Sequence, residues 1–198
     1  MRDLTPGELS IAAGVLGRAY RDTPTTIALL GDDRELRMRV TGDIMGWRVS
    51  LMNPPALAAH RADSLVGVCG LAPSDAPPPA QKQEEELGRI LRQGGRGVVQ
   101  KAIDMAAEWA RRAPKERHWH LGPVAVEPDL MGRGIGSRMI ERFCVKMDAE
   151  GEMAYLETDL SESVRLYERF GFATVDEGPV IGVHNWFMIR PAPGTSRS

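Results

Sequence analysis

The chain has 198 residues, of which 42% are hydrophobic, and this length and composition favour a single globular domain with a sizeable core. Its 25 basic and 27 acidic residues leave a formal net charge of -2, which gives no bulk electrostatic basis for a nucleic-acid or anionic-membrane partner. Cys69 and Cys144 each lie in an apolar stretch and are expected to be reduced core thiols. No run of about eighteen apolar residues occurs. We therefore expect a cytoplasmic protein with no membrane partner.

The first third of the chain predicts helices. Thr5 offers a capping hydroxyl, a proline follows it, and Glu8 is placed to reach back to the cap, so a helix is expected to about Tyr20. Thr23 and the proline after it repeat this start signal. Residues 32–52 carry apolar side chains three or four apart, which predicts a longer helix that two consecutive prolines end.

The next segments predict a hairpin and then an insertion. Short apolar runs at 56–59 and 65–71, separated by a polar turn, are typical of two paired strands. Residues 72–79 are rich in proline, which lacks the backbone donor of a strand, and they predict a loop. Residues 81–112 are helical in composition, with an interruption at Gly94 and Gly95.

The second half predicts alternating strands and helices. We expect strands at 118–126, 153–158, 172–175 and 184–189, a helix at 134–149 and a short helix at 161–170 begun by a serine cap. The chain then reads as one domain of residues 1–190, in which 72–112 form a Pro-rich loop plus helical insertion. Residues 191–198 are expected to be a flexible tail.

The most informative segment is 124–136, which joins a buried strand to a helix through a glycine turn nearly free of side chains. Glycine lets the main chain approach a ligand, and unpaired amides at a helix start favour an anion such as a pyrophosphate. A glycine loop that merely starts a helix is the simpler alternative. A dinucleotide-binding fold would place the glycines after the first strand, and a Walker loop would end in Gly-Lys-Ser or Gly-Lys-Thr, which is absent.

A proline lies within the same strand. Pro123, beside Gly122, predicts a bulge that interrupts ladder bonding. Main-chain donors and acceptors freed at Val124, Ala125 and Val126 would pair with an extended ligand that carries amides. Pantetheine is such a ligand, with a pyrophosphate at one end and a thiol at the other.

These motifs resemble those of the GNAT superfamily of acyl-CoA-dependent N-acyltransferases, in the branch similar to puromycin N-acetyltransferase. The resemblance is carried by residues 119–136, 155–158 and 164–172 and by the terminal segment 186–190. It implies a GNAT-like fold of the α/β (α+β) class, with a mixed, mostly antiparallel central sheet splayed between strands 4 and 5 and flanked by helices. These two strands are the ones that begin at His118 and Met153.

The resemblance also implies acetyl-CoA as co-substrate and no metal. The residues that it assigns to cofactor binding are Val124, Ala125, Val126, Met131, Gly132, Arg133, Gly134, Ile135, Gly136, Ser137 and Ser163. Two positions depart from the family pattern: Met131 stands where Gln or Arg is common, and Ser163 stands where Asn is usual. The loop contacts in the family are largely main-chain amides, so these departures bear on cofactor affinity more than on fold.

Two catalytic residues follow from the resemblance. Tyr167 matches the tyrosine that protonates the coenzyme A sulfur; its alternative role is core packing. His120 occupies a strand position that holds a glutamate base in some members, and its ordinary pKa near 6.5 suits proton acceptance. A histidine satisfied by a neighbouring bond is the alternative, Glu157 is the reserve base, and His118 shares the strand face and would pair with His120 to bind a polar substrate or a metal.

The predicted function is N-acetylation of the primary amine of a small molecule, by direct transfer from acetyl-CoA. A non-catalytic acyl-CoA-binding sensor or partner domain is the alternative from a different class, and a nucleotide-binding regulator is a third. The identity of the acceptor stays open. A homodimer is one oligomeric state that also stays open.

Overall fold

The computed structural model describes residues 1–194; residues 195–198, the end of the predicted tail, lie outside the described residues. Within this part, seven strands form one sheet: β1 (Arg2–Asp3), β2 (Leu57–Arg61), β3 (Ser64–Pro73), β4 (Trp119–Val126), β5 (Ala154–Thr158), β6 (Ala173–Val180) and β7 (Val183–Arg190). The described chain also forms seven α-helices: α1 (Leu9–Tyr20), α2 (Pro24–Leu30), α3 (Arg34–Ser50), α4 (Gln81–Arg92), α5 (Val98–Arg112), α6 (Ile135–Glu150) and α7 (Ser161–Glu168).

The sheet is mixed, and its strand order is β1-β2-β3-β4-β5-β7-β6. β4 and β5 are parallel and the other neighbouring strands are antiparallel. β4 and β5 pair only where Trp119 lies opposite Ala154 and His120 lies opposite Tyr155; beyond these pairs the two strands separate. The predicted sheet, mostly antiparallel and splayed between its fourth and fifth strands, is confirmed.

Capping residues set where the helices begin. Thr5 donates both its backbone N–H and its hydroxyl to Glu8 Oε2, at 3.0 and 2.7 Å, and this box opens a short 3-10 turn before α1. Asp33 accepts the first free amides of α3. The predicted serine cap of α7 is wrong, because the carbonyl of Leu160 already accepts the N–H of Val164. Leu160 is therefore the N-cap, and Ser161 is the first helical residue.

β3 and β6 continue beyond their predicted ends. β3 continues to Pro73, which lies opposite Trp119. The next residue, Ser74, donates its N–H to the His118 carbonyl. Because backbone groups alternate in direction along an antiparallel strand, the nitrogen of Pro73 points away from β4. The proline therefore leaves no ladder bond unmade. β6 continues to Val180 and joins β7 through a tight turn in which Gly182 has φ 84°. The sequence prediction also omitted the two-residue edge strand β1.

The core lies on both faces of the sheet. α6 covers one face, and its buried Phe143 and Met147 pack against β3, β4 and β5. α1 and α3 cover part of the other face, where they approach closely: a Cβ on Gly17 would lie 2.3 Å from the Met38 carbonyl oxygen. The insertion helices α4 and α5 pack with α2 and α3 on the side opposite α6. Both cysteines are buried. No helix within residues 1–194 is long and apolar enough to cross a membrane.

Candidate active site

The site is built around the gap between β4 and β5. The pairing of β3 with β4 shifts register between Cys69 and Leu71, so that β4 carries one extra residue at Gly122 and Pro123. This is the bulge that the proline predicts. Gly70 of β3 permits it, because a Cβ there would lie 2.5 Å from the Gly122 carbonyl oxygen. The bulge therefore bends β4 at the point where its pairing with β5 ends.

The backbone of β4 beyond the bulge is only partly free. Glu127 donates its N–H to the Val66 carbonyl of β3. In an antiparallel ladder the backbone N–H and C=O of successive residues point to alternate sides, so those of Ala125 face β3, whereas those of Val124 and Val126 face the gap. The hydroxyl of Tyr20 already accepts the N–H of Val124 and donates to its carbonyl. The expectation of free main-chain groups therefore holds for Val126 alone, and it is wrong for Ala125 and Val124.

The glycine turn holds a continuous row of unpaired amides. Gly132 and Gly134 both adopt φ 75°, which is the left-handed conformation that glycine tolerates best. The first backbone bond of α6 runs from the Arg138 N–H to the Gly134 carbonyl. The six N–H groups from Gly132 to Ser137 have no acceptor within the described chain. Six adjacent donors at a helix N-terminus form a concave site for an anion with several oxygens.

The residues around this turn add positive charge. A cavity of about 410 Å³ lies beside it, and its lining includes Arg61, Arg133 and Arg138. Met131 is exposed at the start of the turn. Ser163 lies in the first turn of α7, where its N–H donates to the Leu160 carbonyl and its hydroxyl has no partner among residues 1–194. The predicted phosphate-binding residues are thus grouped around one turn, with Ser163 on the helix that follows β5.

A second cavity, of about 320 Å³, lies on the face of the sheet opposite α6 and reaches the gap. Its lining includes Tyr167, His120 and Glu157, so the structure brings the three predicted candidates for proton transfer to one cavity. The Tyr167 hydroxyl has no hydrogen-bond partner in the described part of the chain. Burial raises the pKa of Tyr167 well above its ordinary value, so the phenol carries its proton at neutral pH.

His120 is held by two charged partners. Its Nε2 lies 2.8 Å from Glu157 Oε2, and its Nδ1 lies 3.0 Å from Arg48 Nη2. A guanidinium only donates hydrogen bonds, so Nδ1 is the acceptor and Nε2–H donates to the carboxylate of Glu157. The imidazole is thereby fixed as the neutral Nε2–H tautomer, and its single lone pair faces Arg48.

Glu157 is ionised in this arrangement. Burial by itself would raise the pKa of Glu157. The positive charge that the His120 imidazole gains when it is protonated, its Nε2–H bond and the charge of Arg48 together outweigh burial and hold the pKa below its ordinary value. Its side chain is 11% exposed. The site therefore contains a carboxylate and a guanidinium on either side of one imidazole.

His118 does not belong to the cavity lining. Its side chain is buried, and its Nδ1 donates to the Glu116 carbonyl at 2.8 Å. The rings of His118 and His120 both contact Tyr155, with centroid distances of 5.4 and 5.8 Å, so the two histidines share a strand face as predicted. In residues 1–194 no group of three or more His, Cys, Asp or Glu side chains is placed to hold a metal ion.

The cavity lining includes three titratable side chains that sequence reasoning did not assign to the site: Tyr20, Arg48 and Asp159. Asp159 Oδ2 accepts the N–H of Thr25 in the first turn of α2, at 2.7 Å. The two-residue spacing of Glu157 and Asp159 is a local signal that could have identified Asp159. No local pattern identifies Arg48, because it lies 72 residues from its partner His120.

Comparison with known proteins places this geometry in a family. The sequence model of the acetyltransferase (GNAT) family matches residues 28–172 of the chain. A solved structure from Corynebacterium glutamicum, described as histone acetyltransferase HPA2 and related acetyltransferase, is 20% identical over 98% of this chain and 97% of its own, with a TM-score of 0.70.

Two further solved structures share the fold. A GNAT family acetyltransferase from Brucella melitensis, in complex with acetyl-CoA, is 18% identical over 100% of this chain and 89% of its own, with a TM-score of 0.54. A polyamine N-acetyltransferase from Drosophila melanogaster, which catalyses the formation of N-acetylagmatine, is 17% identical over 95% of this chain and 97% of its own, with a TM-score of 0.56. At these identities the similarity establishes the fold.

Proposed function

The chain belongs to the acetyltransferase (GNAT) family, and we propose that it transfers the acetyl group of acetyl-CoA directly to the primary amine of a small molecule. The observation that carries this proposal is the row of six unpaired amides from Gly132 to Ser137, which opens beside the gap where β4 leaves β5. A pyrophosphate is the part of coenzyme A that such a row fits, because its oxygens accept several N–H bonds and its charge is favoured by the helix dipole.

The residues around the gap fit the rest of the molecule. The free C=O of Val126 suits an amide N–H of the pantetheine arm. Arg133 and Arg138 supply positive charge near the pyrophosphate, and the Ser163 hydroxyl is a free polar group on the neighbouring helix. The exposed Met131 side chain should lower acetyl-CoA affinity only slightly, because the contacts of this turn are main-chain amides. When bound, acetyl-CoA supplies an activated thioester carbonyl.

The chain's own groups then have distinct roles. The Val126 N–H polarises the thioester carbonyl, the neutral amine attacks the carbonyl carbon, the carbon–sulfur bond breaks, and Tyr167 donates its proton to the departing thiolate. His120 accepts the proton of the amine, and Glu157 stabilises the resulting imidazolium. Since Arg48 occupies Nδ1 in the structure, this proton transfer requires that the amine or a water displaces the guanidinium from that nitrogen.

The narrower assignment is the branch similar to puromycin N-acetyltransferase, supported by the terminal segment 186–190. We further propose a cytoplasmic enzyme without a nucleic-acid or membrane partner. An amine acceptor agrees with the fold relatives, one of which forms N-acetylagmatine.

The test has two stages. Thermal unfolding is first measured with acetyl-CoA, coenzyme A, NAD and ATP, and acetyl-CoA is expected to raise the melting temperature most. A library of amines is then incubated with acetyl-CoA and scored for free thiol release, with the acetylated product identified by mass. Stabilisation by ATP or NAD instead of acetyl-CoA would contradict the proposal and favour a nucleotide-binding regulator.

A second outcome separates binding from catalysis. If acetyl-CoA binds but no amine in the library releases thiol, transfer is contradicted and the non-catalytic acyl-CoA-binding sensor becomes the better assignment. Gly134→Ala serves as the binding control, because a side chain there strains the turn that presents the amides without touching Tyr167 or His120.

A further inference from the structure

The cavity that reaches the gap has two chemically different ends. Its ionisable groups come from the sheet and from the last turn of α3: Glu157 and Asp159 at the end of β5, His120 on β4 and Arg48. We call this group the polar end. Asn185 of β7 extends it, because Asn185 lines the same cavity and the next residue, Trp186, lies opposite Thr158 of β5. Two carboxylates and one guanidinium leave the polar end with a net negative charge when His120 is neutral.

The opposite end is built by helices, and its side chains are mostly apolar; Thr26 of α2 and Thr41 of α3 add uncharged hydroxyls to the lining. Its lining side chains are Leu29 of α2, Ile44 and Trp47 of α3, Leu87 of α4, and Met105 and Trp109 of α5. We call this group the apolar end. The Trp47 indole donates to the Gln83 carbonyl at 3.0 Å, which fixes α3 against the insertion helix α4. The apolar end is therefore a packed wall, to which the insertion contributes two helices.

No carboxylate is available at the apolar end. The acidic residues of α4 and α5 are absent from the lining, within the part of the chain that the structure describes. Those of α5 are engaged on the outer surface: Asp104 accepts from Gln100, and Glu108 accepts from Arg111. A cationic group placed at the apolar end would lose its hydration without gaining a counter-ion.

We propose, resting on the acetyl transfer proposed above, that the acceptor is a primary monoamine with an apolar body, and that polycationic amines are rejected. The amine lies at the polar end, between Glu157 and Asp159, where it faces the gap. The alkyl or aryl body lies against Ile44, Leu87 and Met105. A cavity of about 320 Å³ lies at the small end of the range of about 300–1,000 Å³ that is usual for small-molecule sites, which suits a small acceptor.

Selectivity follows from desolvation. Burial of an unpaired ammonium is far more costly than burial of a methyl group of the same size. A site that leaves a charged group without a partner rejects it by a factor of at least about 100. The acceptor class is thus set by the side chains of α3, α4 and α5, although proton transfer takes place on the sheet.

The experiment compares two amines of equal size. Heptylamine and hexane-1,6-diamine differ only in a terminal methyl or amino group, and kcat/KM is measured for each with acetyl-CoA held saturating. We expect heptylamine to be favoured at least about 100-fold. Calorimetry of each amine with the enzyme–coenzyme A complex gives a binding readout that does not depend on turnover.

A pair of variants tests the physical cause. Met105→Glu places a carboxylate in the apolar end, and Met105→Gln places an uncharged side chain of the same size there. Both residues favour helix, and Met105 is only half-buried, so both variants should fold. The glutamate variant is expected to reduce the heptylamine preference at least about tenfold, whereas the glutamine variant leaves it within about threefold.

The outcomes distinguish this inference from the function on which it rests. If thiol is released but the diamine equals or exceeds heptylamine, acetyl transfer stands and the monoamine assignment is wrong. The inference would also be overturned if Met105→Gln abolished the heptylamine preference as fully as Met105→Glu does. The preference would then not depend on the charge at position 105. If no amine releases thiol, the proposed function fails, and the inference fails with it unless calorimetry still shows selective binding of heptylamine.

Discussion

The phenol oxygen of Tyr20 lies 3.0 Å from the amide nitrogen of Val124 and 3.2 Å from its carbonyl oxygen. One hydroxyl therefore accepts from and donates to the same residue, at the point where β4 has left β5. Burial raises the pKa of Tyr20 to about 12, so the hydroxyl keeps the proton that it donates. α1 thus covers the unpaired edge of the splayed strand and leaves Val126 as the free backbone position.

Tyr20→Phe should lower the free energy of unfolding by about 1–2 kcal/mol, because the N–H and C=O of Val124 lose their partner. Tyr155→Phe is the matched control: the Tyr155 hydroxyl is buried and has no hydrogen-bond partner in residues 1–194. Its removal should leave stability unchanged or raise it. Urea unfolding of both variants measures the difference, and an equal loss in both would contradict the bridging role of Tyr20.

Tyr167→Phe should lower kcat by a factor of about 100 or more, because the thiolate would leave without a proton donor. Acetyl-CoA affinity should not change, since the hydroxyl makes no hydrogen bond within the described chain. Thiol release at saturating substrate measures kcat, and calorimetry measures affinity. Tyr155→Phe again serves as the control, because its hydroxyl lies outside the cavity lining. Unchanged turnover in Tyr167→Phe would contradict the role of the tyrosine as acid.

The glycine turn and the bulge could be predicted because their signals are local. Gly132 and Gly134 occupy left-handed positions where other residues are strained, and they do so next to a helix start. Pro123 interrupts the ladder of its own strand. Each feature depends on backbone properties of the residues that form it, and so it is visible in a short stretch of sequence.

The walls of the site could not be predicted in the same way. Tyr20 meets Val124 across 104 residues, Arg48 meets His120 across 72, and Asp159 caps α2 across 134. These contacts depend on how α1, α2 and α3 pack on the sheet, which no local pattern encodes. For the same reason the sequence placed His120 on the right strand but did not show that Arg48 occupies its Nδ1.

The smaller errors also come from tertiary context. Ser161 has the side chain of a good cap, yet the helix begins one residue earlier because Leu160 adopts an extended backbone with its carbonyl already in the helical ladder. The sequence predicts β6 only as far as Val175, and charged residues and a Gly-Pro pair follow. Pairing with β7 overrides this weak propensity as far as Val180.

Glu157→Gln should lower the free energy of unfolding at pH 7 by about 2 kcal/mol, since a charged hydrogen bond to His120 becomes neutral. The pKa of Glu157 lies below its unfolded value, so its contribution to stability is complete above the unfolded value of about 4.3 and is lost as the pH falls through the folded value. The difference between wild type and variant should therefore shrink below about pH 4.3.

The control for this pH dependence is Glu86→Gln. Glu86 is exposed on α4, and its side chain has no hydrogen bond or ion pair among the residues that the structure describes, so its replacement should change stability by less than about 0.5 kcal/mol at either pH. Urea unfolding of wild type and both variants at several pH values provides the measurement. A Glu157→Gln difference that grows as the pH falls would reverse the sign argued here.

Gly134→Ala and Gly151→Ala separate the strain of a left-handed residue from loss of the anion site. Both glycines flank α6, as its N-cap with φ 75° and its C-cap with φ 68°, so each alanine should cost about 1–2 kcal/mol of stability. Only Gly134 lies within the row of free amides. Its replacement should weaken acetyl-CoA binding at least about tenfold, because shifting the turn by a fraction of an ångström misaligns several N–H donors at once.

Calorimetry with acetyl-CoA measures that difference in affinity, and urea unfolding confirms that the two variants lose similar stability. Gly151→Ala should bind acetyl-CoA as wild type does, because its end of α6 presents carbonyl oxygens, which repel a phosphate, and lies a full helix length from the turn. Equal weakening in both variants would mean that global stability governs affinity, and the six amides would then lose their assignment as the pyrophosphate site.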